Sequence, residues 1–165
     1  MIDNITFVKF DRQFLHKTFL WLSDSEIKYD TMAPSVTRED QGQWFSTLNH
    51  RTDYLIWGVL CDNVPIGVVG LKHIDYNANV AEYFGYVGEK QYWGHGIGKS
   101  MMSFAMGESK KLGLREVYLH VRKDNLRAIA LYEHYGFKLV SEEIVDSKET
   151  VDSVRVRKYE IFLRP

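Results

Sequence analysis

The chain of 165 residues is long enough to bury a core, and we expect it to fold as one domain over residues 1–165. Its formal net charge of -1 gives no reason to expect a nucleic acid or an anionic membrane as partner. Cys61 is the single cysteine, which excludes an internal disulfide, and neither a signal peptide nor a membrane-length apolar run is seen, so we expect a cytoplasmic protein.

The amino-terminal part of the sequence predicts a strand followed by helices. Residues 5–10 have the composition of a strand. Residues 11–22 repeat apolar side chains at helical spacing. Ser23 followed by Glu26 has the spacing of a capping box and predicts a short second helix, and Thr37 predicts the cap of a third.

The remaining pattern predicts strands in a hairpin and then strands that alternate with helices. Asp62 and Asn63 lie between two apolar runs and suit a tight turn. Residues 141–153 are predicted to be a loop, and this loop holds five acidic residues: Glu142, Glu143, Asp146, Glu149 and Asp152. The order of elements predicts an α/β (α+β) fold in which helices flank a mixed sheet.

A glycine-rich segment at residues 91–99 lies where a predicted strand, 80–87, ends and a helix begins. Glycine at every second position from Gly94 to Gly98 lets the backbone approach a ligand closely, and the first helical turn leaves N–H groups unpaired. Together with the helix dipole, this predicts a site for a phosphate or pyrophosphate. A nucleotide-triphosphate loop and a dinucleotide fingerprint both fail on the glycine spacing.

Two motifs carry a resemblance to a known family. Gln91, Gly94 and Gly96 fit Gln-x-x-Gly-x-Gly, which resembles the pyrophosphate-binding motif of the GNAT superfamily of N-acetyltransferases. Residues 125–137 resemble that superfamily's second signature, Asn-x-x-Ala-x-x-x-Tyr followed by Gly-Phe. The resemblance implies a mixed, mostly antiparallel sheet of about seven strands, splayed at its centre and flanked by about four helices.

The resemblance also implies that the chain binds acetyl-CoA as acyl donor, and no metal is expected. The glycine loop would hold the pyrophosphate, and the strand before it would present backbone N–H groups to the acyl carbonyl, with a bulge at Gly85 opening the sheet. The residues expected to contact acetyl-CoA are Phe84, Gly85, Tyr86, Val87, Gln91, Tyr92, Trp93, Gly94, His95, Gly96, Ile97, Gly98, Lys99, Asn125 and Ala128.

Proton transfers must accompany the attack of an amine on a thioester. By resemblance, Tyr132 donates a proton to the CoA sulfur, a role that suits a phenol with an ordinary pKa of about 10. Glu82, on the strand before the loop, is the predicted general base. His73, His120 and Asp75 are alternatives, with His120 the least favoured, and a chain of waters without a single base is equally compatible with the sequence.

The motifs do not determine the amine acceptor. Residues 21–28 and 43–45 loosely resemble the branch that holds ribosomal-protein N-terminal, polyamine and nucleotide-aminosugar acetyltransferases. Aromatic side chains suit an amino sugar, which we favour, and the predicted acceptor contacts are Trp21, Tyr29 and Trp44. The alternatives are a polyamine drawn to the acidic stretch, a protein N-terminus, and a non-catalytic acyl-CoA sensor. A homodimer is compatible with the sequence.

Overall fold

The computed structural model describes residues 4–146 and 153–165. No helix among these residues is both long and apolar enough to span a membrane. Two short 3₁₀ turns occur at Leu48–His50 and Lys90–Tyr92. The strands and α-helices, in chain order, are β1 (Ile5–Lys9), α1 (Arg12–Ser23), α2 (Ser25–Thr31), α3 (Arg38–Thr47), β2 (Leu55–Cys61), β3 (Val64–Asp75), β4 (Val80–Val87), α4 (Ile97–Lys111), β5 (Glu116–Arg122), α5 (Leu126–Tyr135), β6 (Lys138–Asp146) and β7 (Ser153–Phe162).

These strands form one sheet in the order β1-β2-β3-β4-β5-β7-β6. Each neighbouring pair is antiparallel except β4 and β5, which run parallel. The predicted mixed, mostly antiparallel sheet of seven strands is therefore confirmed. Five α-helices, rather than about four, flank it in the described part of the chain.

The short second helix predicted after α1 is present, but its N-cap is Asp24 rather than the predicted Ser23. The backbone of Asp24 is extended, which ends α1, and its carboxylate accepts hydrogen bonds from the N–H groups of Glu26 and Ile27 at the start of α2. The hydroxyl of Ser23 donates instead to the C=O of Phe19 within α1. A carboxylate is also the better partner for a helix N-terminus, because it complements the helix dipole.

The pairing between β4 and β5 is short. It covers three residues of each strand and ends at the pair Glu82 and Tyr118. Beyond that pair, β4 keeps only β3 as a partner, and the sheet opens. The expected splay is present, but the expected bulge at Gly85 is not, because the β3–β4 register runs unbroken through Gly85 and shifts only between Lys72 and Asp75.

The predicted loop at 141–153 is in part a strand. β6 continues to Asp146 and pairs with β7. Its acidic side chains are compatible with a strand because they lie at an exposed edge, where water and basic partners solvate them. The carboxylate of Glu142 forms ion pairs with three basic side chains: Lys123, Arg155 and Arg157. Glu149 and Asp152 of the predicted loop lie outside the described residues.

Apolar side chains form two main clusters on opposite faces of the sheet. Val68 and Val69 are adjacent on β3, so their side chains point to opposite faces, and each belongs to a different cluster. Helices α4 and α5 pack on the side of Val69, while α1, α2 and α3 pack on the side of Val68. The sheet is thereby held between two helical layers, and its opening lies between them.

Gly58 on β2 makes room for the ring of Phe14 on α1, which is 1% exposed. A Cβ at residue 58 would lie 2.2 Å from two carbons of that ring, so Gly58→Ala should push α1 away from the sheet. We expect the free energy of unfolding to fall by about 1–3 kcal/mol, measured by urea denaturation.

Gly42→Ala is the matched control for this substitution. Gly42 lies on the exposed side of α3, and a Cβ there would meet nothing within 4 Å. Alanine is the better helix former, so this variant should gain up to about 1 kcal/mol of stability. A Gly58→Ala protein as stable as the wild type would contradict the packing of α1 on β2.

Candidate active site

The opening between β4 and β5 leads into a cavity of about 710 Å³. The wall consists of the carboxyl-terminal part of β4, the loop before α4, the first half of α5, and the segment that joins α2 to α3. This volume is within the range of small-molecule sites. Because the strands have parted, the backbone N–H and C=O groups of β4 that face β5 have no strand partner and are open to a ligand.

The glycine loop forms one end of this cavity. Gly94 and Gly96 both have φ of 79°, a left-handed conformation that residues with a Cβ rarely adopt. Gly96 is the N-cap of α4 and has no side chain to cap the helix, so the N–H groups of the first turn are left for a ligand. Ile97, Gly98 and Lys99 of that turn line the cavity. This is the geometry of an anion site.

Arg127 adds positive charge to the same end of the cavity. Its guanidinium carbon lies 4.1 Å from the ring centroid of Trp93, and the indole N–H of Trp93 donates to the C=O of Val87 at 2.8 Å. The stacked pair ties α5 to the glycine loop. Arg127, Trp93 and Lys99 all line the cavity, so two cations lie near the anion site.

Two of the predicted donor contacts do not reach the cavity. Gln91 belongs to the 3₁₀ turn before the loop and lines a separate depression beside α1. His95 is exposed between the two left-handed glycines and does not line the cavity. The other predicted donor contacts all line it: Phe84, Gly85, Tyr86, Val87, Tyr92, Trp93, Gly94, Gly96, Ile97, Gly98, Lys99, Asn125 and Ala128.

Helix α5 presents Asn125 and Tyr132 to the cavity. Asn125 is the N-cap of α5, and its side-chain oxygen accepts a hydrogen bond from the N–H of Ala128 at 3.3 Å. The ring of Tyr132 meets that of Tyr83 edge-on, with centroids 6.2 Å apart. Burial raises the pKa of Tyr132 to about 12, so its hydroxyl keeps its proton at neutral pH and can donate it.

Glu82 lies where β4 and β5 part, and it is 6% exposed. One carboxylate oxygen lies 2.7 Å from Nδ1 of His120, and the other lies 2.9 Å from Nδ1 of His73. Burial raises the pKa of Glu82, but the hydrogen bond from His120 and the positive charge of Lys72 outweigh burial and hold the pKa below its ordinary value. Glu82, the predicted base, and two of its three alternatives thus form one connected cluster.

The third alternative, Asp75, lies apart from this cluster. Its carboxylate accepts hydrogen bonds from the N–H groups of Asn77 and Ala78 in the turn that follows β3. Asp75 is not part of the cavity wall. Its role in the structure is therefore to order a turn.

Trp44 is the predicted acceptor contact that does line the cavity. Its ring meets Tyr54 edge-on with centroids 5.8 Å apart, and Tyr54 lies 5.3 Å from Phe84. These three rings form an aromatic wall. Asp30 of α2 lines the same cavity, and burial raises the pKa of its carboxyl group above the ordinary value.

Trp21 does not reach the cavity. Its side chain is 5% exposed and belongs to the core beneath α1. The indole N–H donates to Glu89 at 2.9 Å, and the ring packs on Gly88, where a Cβ would lie 2.1 Å from an indole carbon. Trp21 therefore serves packing, because its position in α1 points its ring at the sheet.

Tyr29 also lies outside the cavity wall. Its ring lies beneath the guanidinium of Arg122, whose carbon is 3.4 Å from the ring centroid. Its hydroxyl donates a hydrogen bond to the carboxylate of Asp124. These contacts fasten α2 to the end of β5.

The sequence did not point to four polar or aromatic cavity residues that matter for the chemistry proposed below, and it ranked a fifth last. The missed residues are Asp30, Tyr54, Lys72 and Arg127, and His120 was the least favoured base. Strand alternation could have found two of these five residues. Lys72 is the cross-strand partner of Glu82 on β3. On β5 the partner of Glu82 is Tyr118, and His120 lies two residues further on the same face. Cross-strand partners share a face of the sheet.

The sequence is similar to those of known acetyltransferases. Residues 16–137 match the sequence model of the Acetyltransferase (GNAT) family. The spermidine N(1)-acetyltransferase of Thermoplasma acidophilum is 32% identical over 108 residues, which cover 66% of this chain and 62% of that protein. N-alpha-acetyltransferase 30 of Saccharomyces cerevisiae is 35% identical over 79 residues, 46% of this chain and 44% of that protein. The chain covers less than two thirds of the length of the curated relatives it matches.

Solved structures show the same fold. A spermidine N-acetyltransferase from Vibrio cholerae, in complex with CoA and spermine, superposes with a TM-score of 0.88 at 21% identity, covering 96% of this chain and 95% of that chain. A domain from Methanocaldococcus jannaschii superposes with a TM-score of 0.79 at 22% identity, covering 97% of this chain and 99% of that chain. Since the family model extends over most of the sequence, the chain belongs to the GNAT family of acetyltransferases.

Proposed function

We propose that this chain is an acetyl-CoA-dependent N-acetyltransferase that moves an acetyl group to a primary amine by direct attack in a ternary complex. One observation carries the proposal: the gap between β4 and β5 and the glycine loop open into a single cavity. A thioester arm in that gap would reach the proton-transfer groups while its diphosphate stays at the start of α4. Residues 1–165 would act as one catalytic domain.

The donor would be held at two places. The free N–H groups at the start of α4 and the cations Lys99 and Arg127 suit the diphosphate. The backbone N–H groups of β4 that face the gap, between Phe84 and Val87, suit the acyl carbonyl and the negative charge that develops on it. Asn125 and Ala128 at the start of α5 would border the arm between these places.

The chemistry would use proton transfer at both ends of the reacting bond. Tyr132 would give its proton to the leaving thiolate, a role supported by its position in the cavity wall and by a hydroxyl that is protonated at neutral pH. The cluster around Glu82 would remove the proton that the amine loses, because this cluster lies at the mouth of the gap.

A polyamine is the acceptor best supported by the relatives, two of which are named for spermidine. The carboxylates of Asp30 and Glu82 line the cavity and would attract a polycation. Burial, together with the negative charges of Glu26 and Asp124, raises the pKa of Asp30 despite the nearby arginines, and a bound ammonium would favour the charged form.

An amino sugar, which the sequence favoured, is the second candidate. The aromatic wall of Trp44, Tyr54 and Phe84 supports it, because sugar rings pack well on aromatic faces. A protein N-terminus is supported by the yeast relative alone.

Gly96→Val should weaken the binding of acetyl-CoA. Valine in the left-handed conformation is strained, and it would displace the N–H groups that hold the diphosphate. Loss of one hydrogen bond to a charged group costs about 1.5–3 kcal/mol, so we expect the Kd for CoA to rise roughly 10- to 100-fold, measured by calorimetry.

Gly113→Val is the matched control for Gly96→Val. Gly113 also has a left-handed backbone, with φ of 76°, and a Cβ there meets nothing within 4 Å, but it follows α4 at the far end. The Gly113→Val protein should lose stability for the same reason, but its Kd for CoA should equal that of the wild type. Unchanged affinity in Gly96→Val would remove the loop from the donor site.

Tyr132→Phe should lower kcat while the KM for acetyl-CoA stays nearly constant. The substitution removes the proton donor and keeps the ring that packs on Tyr83, and general acid catalysis is worth about 10²- to 10⁴-fold. Tyr135→Phe on the same helix lies outside the cavity wall and should keep full activity in the same steady-state assay. Equal rates for the two variants would exclude Tyr132 as the acid.

The acceptor can be tested by release of CoA thiol in the presence of spermidine, a nucleotide-linked amino sugar and a peptide with a free N-terminus. We expect the highest kcat/KM for spermidine. Asp30→Asn should raise the KM for spermidine roughly 10- to 100-fold by removing a charged contact, whereas Asp62→Asn, in the exposed β2–β3 turn, should not.

Two other outcomes of this assay would change the proposal. Preference for the amino sugar, with no effect of Asp30→Asn, would replace the polyamine. Tight binding of acetyl-CoA with no turnover on any amine would favour a non-catalytic acyl-CoA sensor.

A further inference from the structure

A buried carboxylate holds two imidazoles at the mouth of the gap. Glu82 uses one oxygen for Nδ1 of His120 and the other for Nδ1 of His73, at 2.7 Å and 2.9 Å. Its side chain is 8% exposed, against 36% for His120 and 63% for His73. The carboxylate is thus enclosed, while the outer edges of both rings are accessible.

The protonation state of these rings follows from the charge of Glu82. An ionised carboxylate can only accept hydrogen bonds, so each Nδ1 must carry a hydrogen. Neutral His120 then has a bare lone pair on Nε2, on the side of the ring away from Glu82. His120 lines the cavity, whereas His73 does not.

Glu82 itself is a poor proton acceptor. Both of its oxygens are already engaged, and an amine would have to displace a histidine to reach either one. The pKa of Glu82 lies below its ordinary value because the hydrogen bond from His120 and the charge of Lys72 outweigh the effect of burial. A carboxylate stabilised in its charged form takes up a proton less readily.

We propose that Nε2 of His120 is the group that accepts the proton from the acceptor amine, and that Glu82 is a positioning residue that fixes the ring and its tautomer. The inference rests on the proposed acetyl transfer and names the base for it. It reverses the order of preference that the sequence suggested, in which Glu82 came first and His120 last.

The proton and electron pairs balance without any further reactant. An acceptor that binds as an ammonium loses one proton to Nε2 of His120 and becomes a neutral amine. The nitrogen lone pair then forms the C–N bond with the thioester carbonyl, and the C–S bond breaks with its electron pair on sulfur. Tyr132 protonates the thiolate, and the second proton on the amide nitrogen passes to water or to the tyrosinate.

The charged groups around His120 favour this role. Glu82 on β4 stabilises the imidazolium that forms, while the nearby cations oppose it. Lys72 and His73 on β3 face the carboxylate of Glu82. Tyr118 and Arg122 flank His120 on β5, and Lys158 is its cross-strand partner on β7. Asp30 on α2 and Tyr132 on α5 line the same cavity as His120. The ring of Tyr118 meets that of His120 edge-on at 5.8 Å and limits its rotation.

A bulge in β3 brings His73 to the carboxylate of Glu82. His73 has φ of 51°, in the left-handed region, and it lies in the register shift between Lys72 and Asp75. Such bulges redirect a side chain. The bond from His73 occupies the second oxygen of Glu82, so the carboxylate cannot turn away from His120.

His120→Ala tests the proposal directly. We expect kcat to fall on the order of 10²-fold with the best amine of the panel, and added imidazole to restore part of it in proportion to the neutral imidazole present. His134→Ala, on the exposed side of α5 and outside the cavity wall, should keep full activity. Imidazole should not rescue Glu82→Gln, because the space beside Glu82 is still filled by His120.

The pH dependence of kcat separates His120 from Glu82. The wild-type rate should fall at low pH as His120 becomes charged and can no longer accept a proton. Glu82→Gln keeps the imidazole of His120 but removes the carboxylate that fixes its ring, so the acid limb should persist with a reduced plateau. An acid limb that survives in His120→Ala and disappears in Glu82→Gln would identify Glu82 as the base and overturn the proposal.

A measurement without substrate distinguishes failure of the inference about His120 from failure of the proposed acetyl transfer. The ¹⁵N chemical shifts of the histidine rings should show His120 with hydrogen on Nδ1 and none on Nε2 above its titration. Hydrogen on Nε2 would overturn the inference even if the enzyme acetylates spermidine. Absence of turnover with every amine would instead overturn the proposed function and the inference together.

Discussion

The separation of β4 from β5 after Glu82 creates the space in which every proposed function of this protein takes place. Parallel strands normally continue their hydrogen bonds, and a strand that gives them up leaves N–H and C=O groups that need other partners. Helices packed on both faces of the sheet hold the strands in place despite this loss. An extended thioester arm is a ligand that could satisfy those groups along its length.

The two ends of the gap have different electrostatic characters. One end has the free N–H groups of α4, Lys99 and the Arg127–Trp93 stack, and therefore suits an anion. The other end has the buried carboxylate of Glu82 and the two imidazoles bonded to it, and we propose that this end takes the amine. A molecule with a diphosphate and a reactive acyl group would be oriented by this difference alone.

The link between Glu82 and His120 lies at the last backbone pair of β4 and β5. A side-chain hydrogen bond thus continues the connection between the strands at the point where their backbones separate. A buried carboxylate is costly unless it is fully hydrogen-bonded, and the two imidazoles meet that requirement. The same bonds occupy both oxygens of Glu82, which is why we propose Nε2 of His120, rather than Glu82, as the base.

Local features of the sequence account for the donor end of the cavity. Glycine spacing at Gly94 and Gly96, an N-cap at Asn125 and periodic apolar residues are local features, and local backbone geometry follows from them directly. The composition of the proposed acceptor end depends instead on tertiary contacts that no local pattern reveals. It buried Trp21, excluded Tyr29 and joined His73 and His120 through Glu82, because those contacts connect residues far apart in the chain, and strand register and helix packing set their distances.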